Sequence, residues 1–262
     1  MDLSRLARQF GVDIGLCAWP LHDEAARIEA AADVPVPAAS TIKLFILAAL
    51  LDSRGLHGEL TMTAEDQVGG SGVLNSLSPG RSWTIRDLAT LMIIVSDNSA
   101  TNLLIDLLGV EFLNGWIAGH GFSGTNLVGK LMMPGRRVSS TTTPRDLAGC
   151  MAQLWQGELL GAEETIEARR ILAAQHYKDA LGRELGFDAF GEGSGVSIAS
   201  KSGSIVGVRN EVAVVGRAGK EYVMAVMTSG CTDQRFWPDN PGLLAISRVN
   251  ALLYSQWLAD AA

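Results

Sequence analysis

Ser40 and Lys43 lie one helical turn apart in Pro37-Ala38-Ala39-Ser40-Thr41-Ile42-Lys43-Leu44, and strong helix formers or apolar residues run on to Leu51. Gly55 marks the end of that run, and two prolines just upstream keep the entry extended. This pattern predicts a buried helix with Ser40 at or near its start. Residues three apart share a helix face, so the Lys43 amine is within reach of the Ser40 hydroxyl. A serine is a poor nucleophile until a base takes its proton. A lysine desolvated by an apolar helix can become that base, because burial disfavours its charged form. The N–H groups of a helix start also favour developing negative charge.

Two further triplets carry groups of the same kind. Ser96-Asp97-Asn98 interrupts an apolar helical run, residues 88–95, and precedes another, residues 100–108. Lys201-Ser202-Gly203 closes residues 196–200, which alternate like a strand. From average residue usage a Ser-x-x-Lys arises about once by chance in a chain this long, but the two triplets are each roughly ten- to twentyfold rarer. Their joint occurrence therefore marks a site.

The elements that must position these groups follow from the rest of the chain. Residues 14–19 predict a first strand ended by Pro20, and the alanine-rich residues 25–33 read as helix by propensity. Polar, glycine-rich residues 55–80 suit loops. Helices are predicted from Thr84, over 111–119, from the Thr141-Thr142-Thr143-Pro144 start to about 156, and over 163–175. Three β-branched runs then follow, at 196–200, 211–216 and 222–229, with Arg217-Ala218-Gly219-Lys220 as a hairpin turn. A terminal amphipathic helix covers about 243–258. Strands at both ends around a helical middle predict an α+β fold. It is a single domain, with an antiparallel sheet built from both termini and flanked by helices. The expected lobes are residues 1–54 with 196–262, and an inserted all-helical lobe over 55–195.

Ser-x-x-Lys, then Ser-Asp-Asn, then Lys-Ser/Thr-Gly is the motif set of class A β-lactamases and penicillin-binding proteins. The chain resembles that superfamily, class A most closely, over nearly its whole length. The likeness takes in Gly70-Ser71-Gly72-Val73-Leu74, residues 91–102, Thr141 to Pro144 and Asn210. It implies a strand rather than a helix just before the Ser40 helix. It also implies that Ser40 is the nucleophile of an acyl-enzyme, Lys43 its proton acceptor, and Ser96 a relay to the leaving atom. By the same resemblance Asn98 binds the substrate amide and orients Lys43, while Lys201 holds Ser96 and, with Ser202, a substrate carboxylate. The backbone N–H groups of Ser40 and Ser204 would form the oxyanion hole, and Arg209 would be a second carboxylate clamp.

One departure matters. Class A enzymes carry a glutamate between Ser-Asp-Asn and the Thr-Thr-Thr-Pro helix start, where it activates the deacylating water. Here the corresponding residues 126–135 read Asn-Leu-Val-Gly-Lys-Leu-Met-Met-Pro-Gly, with no carboxylate. Lys130 reads as a loop-surface residue, and Met132 and Met133 as core or pocket wall. The expected function is a serine hydrolase that hydrolyses, or is acylated by, β-lactams. The alternatives are a D-alanyl peptidase, esterase or amidase of the same fold, or a covalent sensor without turnover.

Composition narrows the partners. At 262 residues and 47% hydrophobic the chain can bury a sizeable core, and its net charge of −7 argues against nucleic acid or an anionic membrane. A small-molecule substrate is expected, with no cofactor or metal. Cys17, Cys150 and Cys231 are odd in number and lack metal spacing, so they read as buried thiols. The four histidines are scattered, and Gly69-Gly70-Ser71-Gly72-Val73 fails the nucleophile-elbow pattern at its last position. No apolar run is long enough to span a bilayer. Residues 1–10 show no charged-then-apolar leader, so a cytoplasmic location is expected, or an exported one if a leader has been removed.

Overall fold

The computed structural model describes residues 1–133, 135, 139–185 and 195–259, so Pro134 of the carboxylate-free loop lies outside the described residues. Five antiparallel strands form the main sheet in the order β2-β1-β9-β8-β7. They are β1 (Asp13–Pro20), β2 (Ile28–Ala30), β7 (Val196–Ile205), β8 (Val208–Arg217) and β9 (Lys220–Ser229). The remaining strands make two small pairs, β3 (Val36–Pro37) with β6 (Thr141–Thr142), and β4 (Glu59–Thr61) with β5 (Ser82–Thr84). The sheet thus joins residues from both ends of the chain, with Cys17 opposite Ala225 and Lys201 opposite Val212. The hairpin at Ala218-Gly219 has both residues in the left-handed region, as a tight two-residue turn requires.

The helices follow their capping signals. After α1 (Leu3–Phe10) comes α2 (Lys43–Ser53), the helix of the Ser40 segment. Thr84 caps α3 (Ile85–Ile94), Asp97 caps α4 (Asn98–Leu108), and Thr143 with Pro144 opens α6 (Pro144–Gln156). Between and after these lie α5 (Val110–Gly119), α7 (Ala162–Ala173), the short α8 (Asp179–Gly182) and α9 (Pro241–Trp257). Among the described residues two large apolar cores result, beside a small cluster of Val12, Cys231 and Ala245. One side of the sheet packs Cys17, Val212, Val223 and Met227 against α2 to α7. The other packs Leu16, Val215, Met224 and Val226 against α1, α8 and α9. Helix α2 lies in the first core and is buried from Lys43 to Leu51, the place for a helix that is apolar on every side. Among the described residues no helix is long and apolar enough to cross a membrane.

Two expectations need correction. Residues 25–33 are not helical, as propensity suggested, but hold the hairpin strand that the resemblance implied: Glu24–Ala26 makes one 3₁₀ turn and Ile28–Ala30 pairs with β1. The sheet edge offers this segment ladder bonds that outweigh alanine's helix preference. Met132 and Met133 are not core, being 57% and 38% exposed. All three cysteines are buried free thiols.

Candidate active site

Ser40 belongs to a 3₁₀ turn, Ala39–Ile42, that leads into α2. Ala39 just before it has φ +47°, a left-handed conformation that costs a non-glycine residue about 1–3 kcal/mol and has to be held by its surroundings. The surroundings are β8 and β7. Asn210 Nδ2 donates to the carbonyls of Pro37 (2.9 Å) and Ala38 (3.2 Å). On β7, Gly203 lies so close that a Cβ there would stand 2.9 Å from the backbone nitrogens of both Ser40 and Thr41. A glycine inside a strand often marks such an approach. It sets the β7 backbone against the start of the Ser40 turn.

Lys43 is fully buried. Its amine donates to Ser96 O (2.7 Å), Ser96 Oγ (3.1 Å) and Asn98 Oδ1 (2.8 Å). Ser40 Oγ is not among these acceptors, so it is the Ser-Asp-Asn turn that orients the lysine. Burial, followed by the like charge of Lys201, holds the Lys43 pKa well below its ordinary 10.5, against a smaller opposing pull from Asp97. Such an amine can be neutral at physiological pH and accept a proton.

The Ser-Asp-Asn turn is itself strained and braced. Ser96 has φ +55°. Asp97 accepts from the backbone N–H groups of Val73 (2.6 Å), Leu74 (2.8 Å) and Ala100 (2.9 Å). Asn98 Nδ2 donates to Gly69 O (3.0 Å), and the Asn98 N–H to Ser71 O (3.0 Å). The Gly-Ser-Gly strip is therefore the support that fixes Ser96 over Lys43. Further along α4, Asn102 clamps Leu131 in the carboxylate-free loop, accepting from its N–H (2.7 Å) and donating to its carbonyl (3.0 Å). Lys130 in the same loop pairs with Asp106, away from Lys43.

Lys201 is fully buried on β7, and its amine donates to Ser202 O (2.7 Å). Burial lowers its pKa and raises that of buried Glu211, and each charge partly offsets the effect on the other. Ser202 Oγ accepts from Gln175 Nε2 (3.3 Å). A cleft of about 310 Å³ opens here, lined by Ser40, Ser71, Ser96, Ser202, Gly203 and Ser204 on its reactive side.

Seven of the eight expected residues thus gather at one place: Ser40, Ser96, Ser202 and Ser204 line the cleft, with Lys43 and Lys201 buried beside them. Asn98 joins through Lys43. Arg209 does not line the cleft. Its guanidinium donates to the carbonyls of Ile205 (2.6 Å), Val208 (2.7 Å) and Arg235 (2.6 Å), and Phe236 covers its face at 4.6 Å. With those donors engaged, the structure gives Arg209 a different setting from the carboxylate clamp expected of it. Sequence reasoning missed the supports Gly203, Asn102 and Asp97. Gly203 and Asp97 stood inside the Lys-Ser-Gly and Ser-Asp-Asn triplets, which was the available signal.

A profile of the β-lactamase enzyme family matches residues 1–257. The ROB-1 β-lactamase of Haemophilus influenzae is 29% identical over 247 residues, covering 88% of this chain and 77% of that protein. The crystal structure of a β-lactamase from Sphaerobacter thermophilus superposes with a TM-score of 0.87 at 29% identity, covering 99% of this chain and 98% of the other. A point variant of PBP-A, solved as an acyl-enzyme complex with penicillin G, gives a TM-score of 0.84 at 30% identity over 97% of this chain and 93% of its own.

Proposed function

The chain belongs to the β-lactamase enzyme family, and from that premise we propose that it is a serine acyl-transfer hydrolase that takes β-lactams onto Ser40. The neutral Lys43 amine accepts the Ser40 hydroxyl proton as Oγ attacks the substrate carbonyl carbon. The oxyanion is met by the N–H groups of Ser40 and Ser204, a pair of fixed donors of the kind worth about 10²–10³ in rate. The carbon–nitrogen bond then breaks, and the nitrogen leaves with the proton that Lys43 returns through Ser96. Water later cleaves the ester and restores Ser40. Asn98 holds Lys43 and the substrate amide, and Lys201 with Ser202 attracts a substrate carboxylate.

The observation that carries this reading is the buried Lys43 amine, bonded to Ser96 and Asn98 and one turn from a serine that lines the cleft. Intact-protein mass after mixing with penicillin G tests it. An adduct of the whole drug is expected on the native protein and none on Ser40→Ala. A native protein left unmodified and unable to hydrolyse the drug refutes it.

A second reading has its own support. The described part of the loop at 126–135 holds no carboxylate, and the acids that line the cleft, Asp179 and Glu211, come from α8 and β8. A missing general base costs about 10²–10⁴ in rate. Acylation followed by slow release would make the protein a covalent β-lactam binder. Its turnover substrate would then be an ester or a D-alanyl amide, released with Lys43 as the only base. Persistence of the penicillin adduct favours this reading, and steady release favours the hydrolase.

A further inference from the structure

Beyond Ser202 the cleft continues to a wall that the proposed chemistry leaves unused. Two of its lining side chains are large rings open to solvent, Tyr177 at 46% and Phe236 at 60% exposure. The Tyr177 N–H donates to Gln175 Oε1 (3.2 Å), and Gln175 in turn donates to Ser202 Oγ. That ties the tyrosine's segment to the residue assigned to the departing half of the substrate. Phe236 follows β9 and rests on the guanidinium of Arg209 at 4.6 Å. Arg209 is in turn held by three carbonyls, one of them from Arg235 next to the ring. A ring seated on a fixed cation is itself held in place.

The charge of this wall is equally particular. Among the described residues the cleft lining includes Asp179 and Glu211 but no lysine or arginine side chain. Glu211 is buried, and its Oε1 has no hydrogen-bond partner among the described residues. The wall offers aromatic surface and presents no cationic side chain of its own, a setting that suits a polarisable ring better than a second anionic group.

We propose that Tyr177 and Phe236 are specificity-determining residues that receive an aromatic substituent on the departing half of the acyl donor, with Arg209 as a positioning residue beneath Phe236. The inference rests on the acyl-enzyme reading of Ser40. The substituent stacks on one or both rings, while the carboxylate next to the leaving nitrogen stays with Ser202 and Lys201. Arg209 then acts through the ring and touches no substrate.

Two cephalosporins that differ only at ring carbon 3, methyl in one and styryl in the other, test this. The reading is the second-order rate of adduct formation at Ser40, by rapid quench and intact mass. The styryl-to-methyl rate ratio should fall roughly 3- to 10-fold in Phe236→Ala and again in Tyr177→Ala, the size expected of single aromatic contacts. Arg209→Lys should lower the ratio in the same direction, because a lysine cannot hold three carbonyls and present a planar face. A ratio unchanged in both ring variants, whatever happens to the absolute rates, overturns the inference while leaving the acyl-enzyme reading intact. Failure of the native protein to form or turn over an adduct with either compound overturns that reading and the inference with it.

Discussion

Replacing Lys43 by methionine tests whether this amine is a base at neutral pH. In the folded protein its pKa is held well below 10.5 by burial and then by Lys201. In the unfolded chain it titrates near the ordinary value, about 10.4. Between the folded pKa and that value, the unfolded state binds the extra proton and the folded state does not. Stability therefore rises with pH across that window, by up to about 1.4 kcal/mol per pH unit, and this gain is lost as pH falls toward the folded pKa. Methionine cannot titrate, so subtracting the variant's stability curve from the native one leaves the titration of Lys43. Within that window the difference should climb with pH in favour of the native protein, at up to about 1.4 kcal/mol per pH unit. The acceptors that methionine strands, Ser96 O, Ser96 Oγ and Asn98 Oδ1, shift the variant's curve without tilting it. Lys201 feels the loss of Lys43 only where Lys43 is charged, so its response does not imitate this slope. Urea denaturation followed by tryptophan fluorescence, in half-unit pH steps, reads the effect. Parallel curves for the two proteins would mean that Lys43 keeps an ordinary pKa in the fold and cannot serve as the base.

Other substitutions probe the remaining parts. Ser40→Ala should abolish labelling by penicillin or a fluorophosphonate with the melting temperature little changed, and labelling that moves to Ser71 would reassign the nucleophile. Gly203→Ala should slow acylation about 10²-fold or more, since its Cβ would force β7 away from the nitrogens of Ser40 and Thr41 and open the oxyanion hole. A rate within a few-fold of native would show that the hole lies elsewhere. Arg209→Ala should destabilise the fold by about 3 kcal/mol through stranded carbonyls and should slow carboxylate-bearing and carboxylate-free donors lacking an aromatic leaving group alike. A selective loss on carboxylates would restore the clamp role. Glutamate introduced singly at positions 128 to 133 should speed release of a penicillin adduct at one site, with Leu131 favoured because Asn102 fixes its backbone. Equally slow release from every variant would mean that this loop does not approach the ester.

The chemistry was legible in the chain because it depends on residue types at short range. Ser40 with Lys43, the Ser-Asp-Asn triplet and Lys-Ser-Gly are local words, and the capping residues Thr84 and Thr143 place their helices by contacts within the first turn. The alternating strands near the C-terminus and the apolar α2 announced a sheet and a buried helix for the same reason. What only the tertiary structure decided depends on groups brought from far along the chain. Residues 28–30 became a strand because β1 offered an edge to pair with. Lys43 turned toward Ser96 and Asn98, more than fifty positions away, a partnership that the family resemblance implied but that spacing within a helix could not reveal. Arg209 was drawn to carbonyls and to the Phe236 ring, because burial leaves a guanidinium no alternative to satisfying its donors inside the protein. Asn210, Gly203 and Asn102 matter only through the backbone each meets across the fold, so composition and periodicity could not announce what they support.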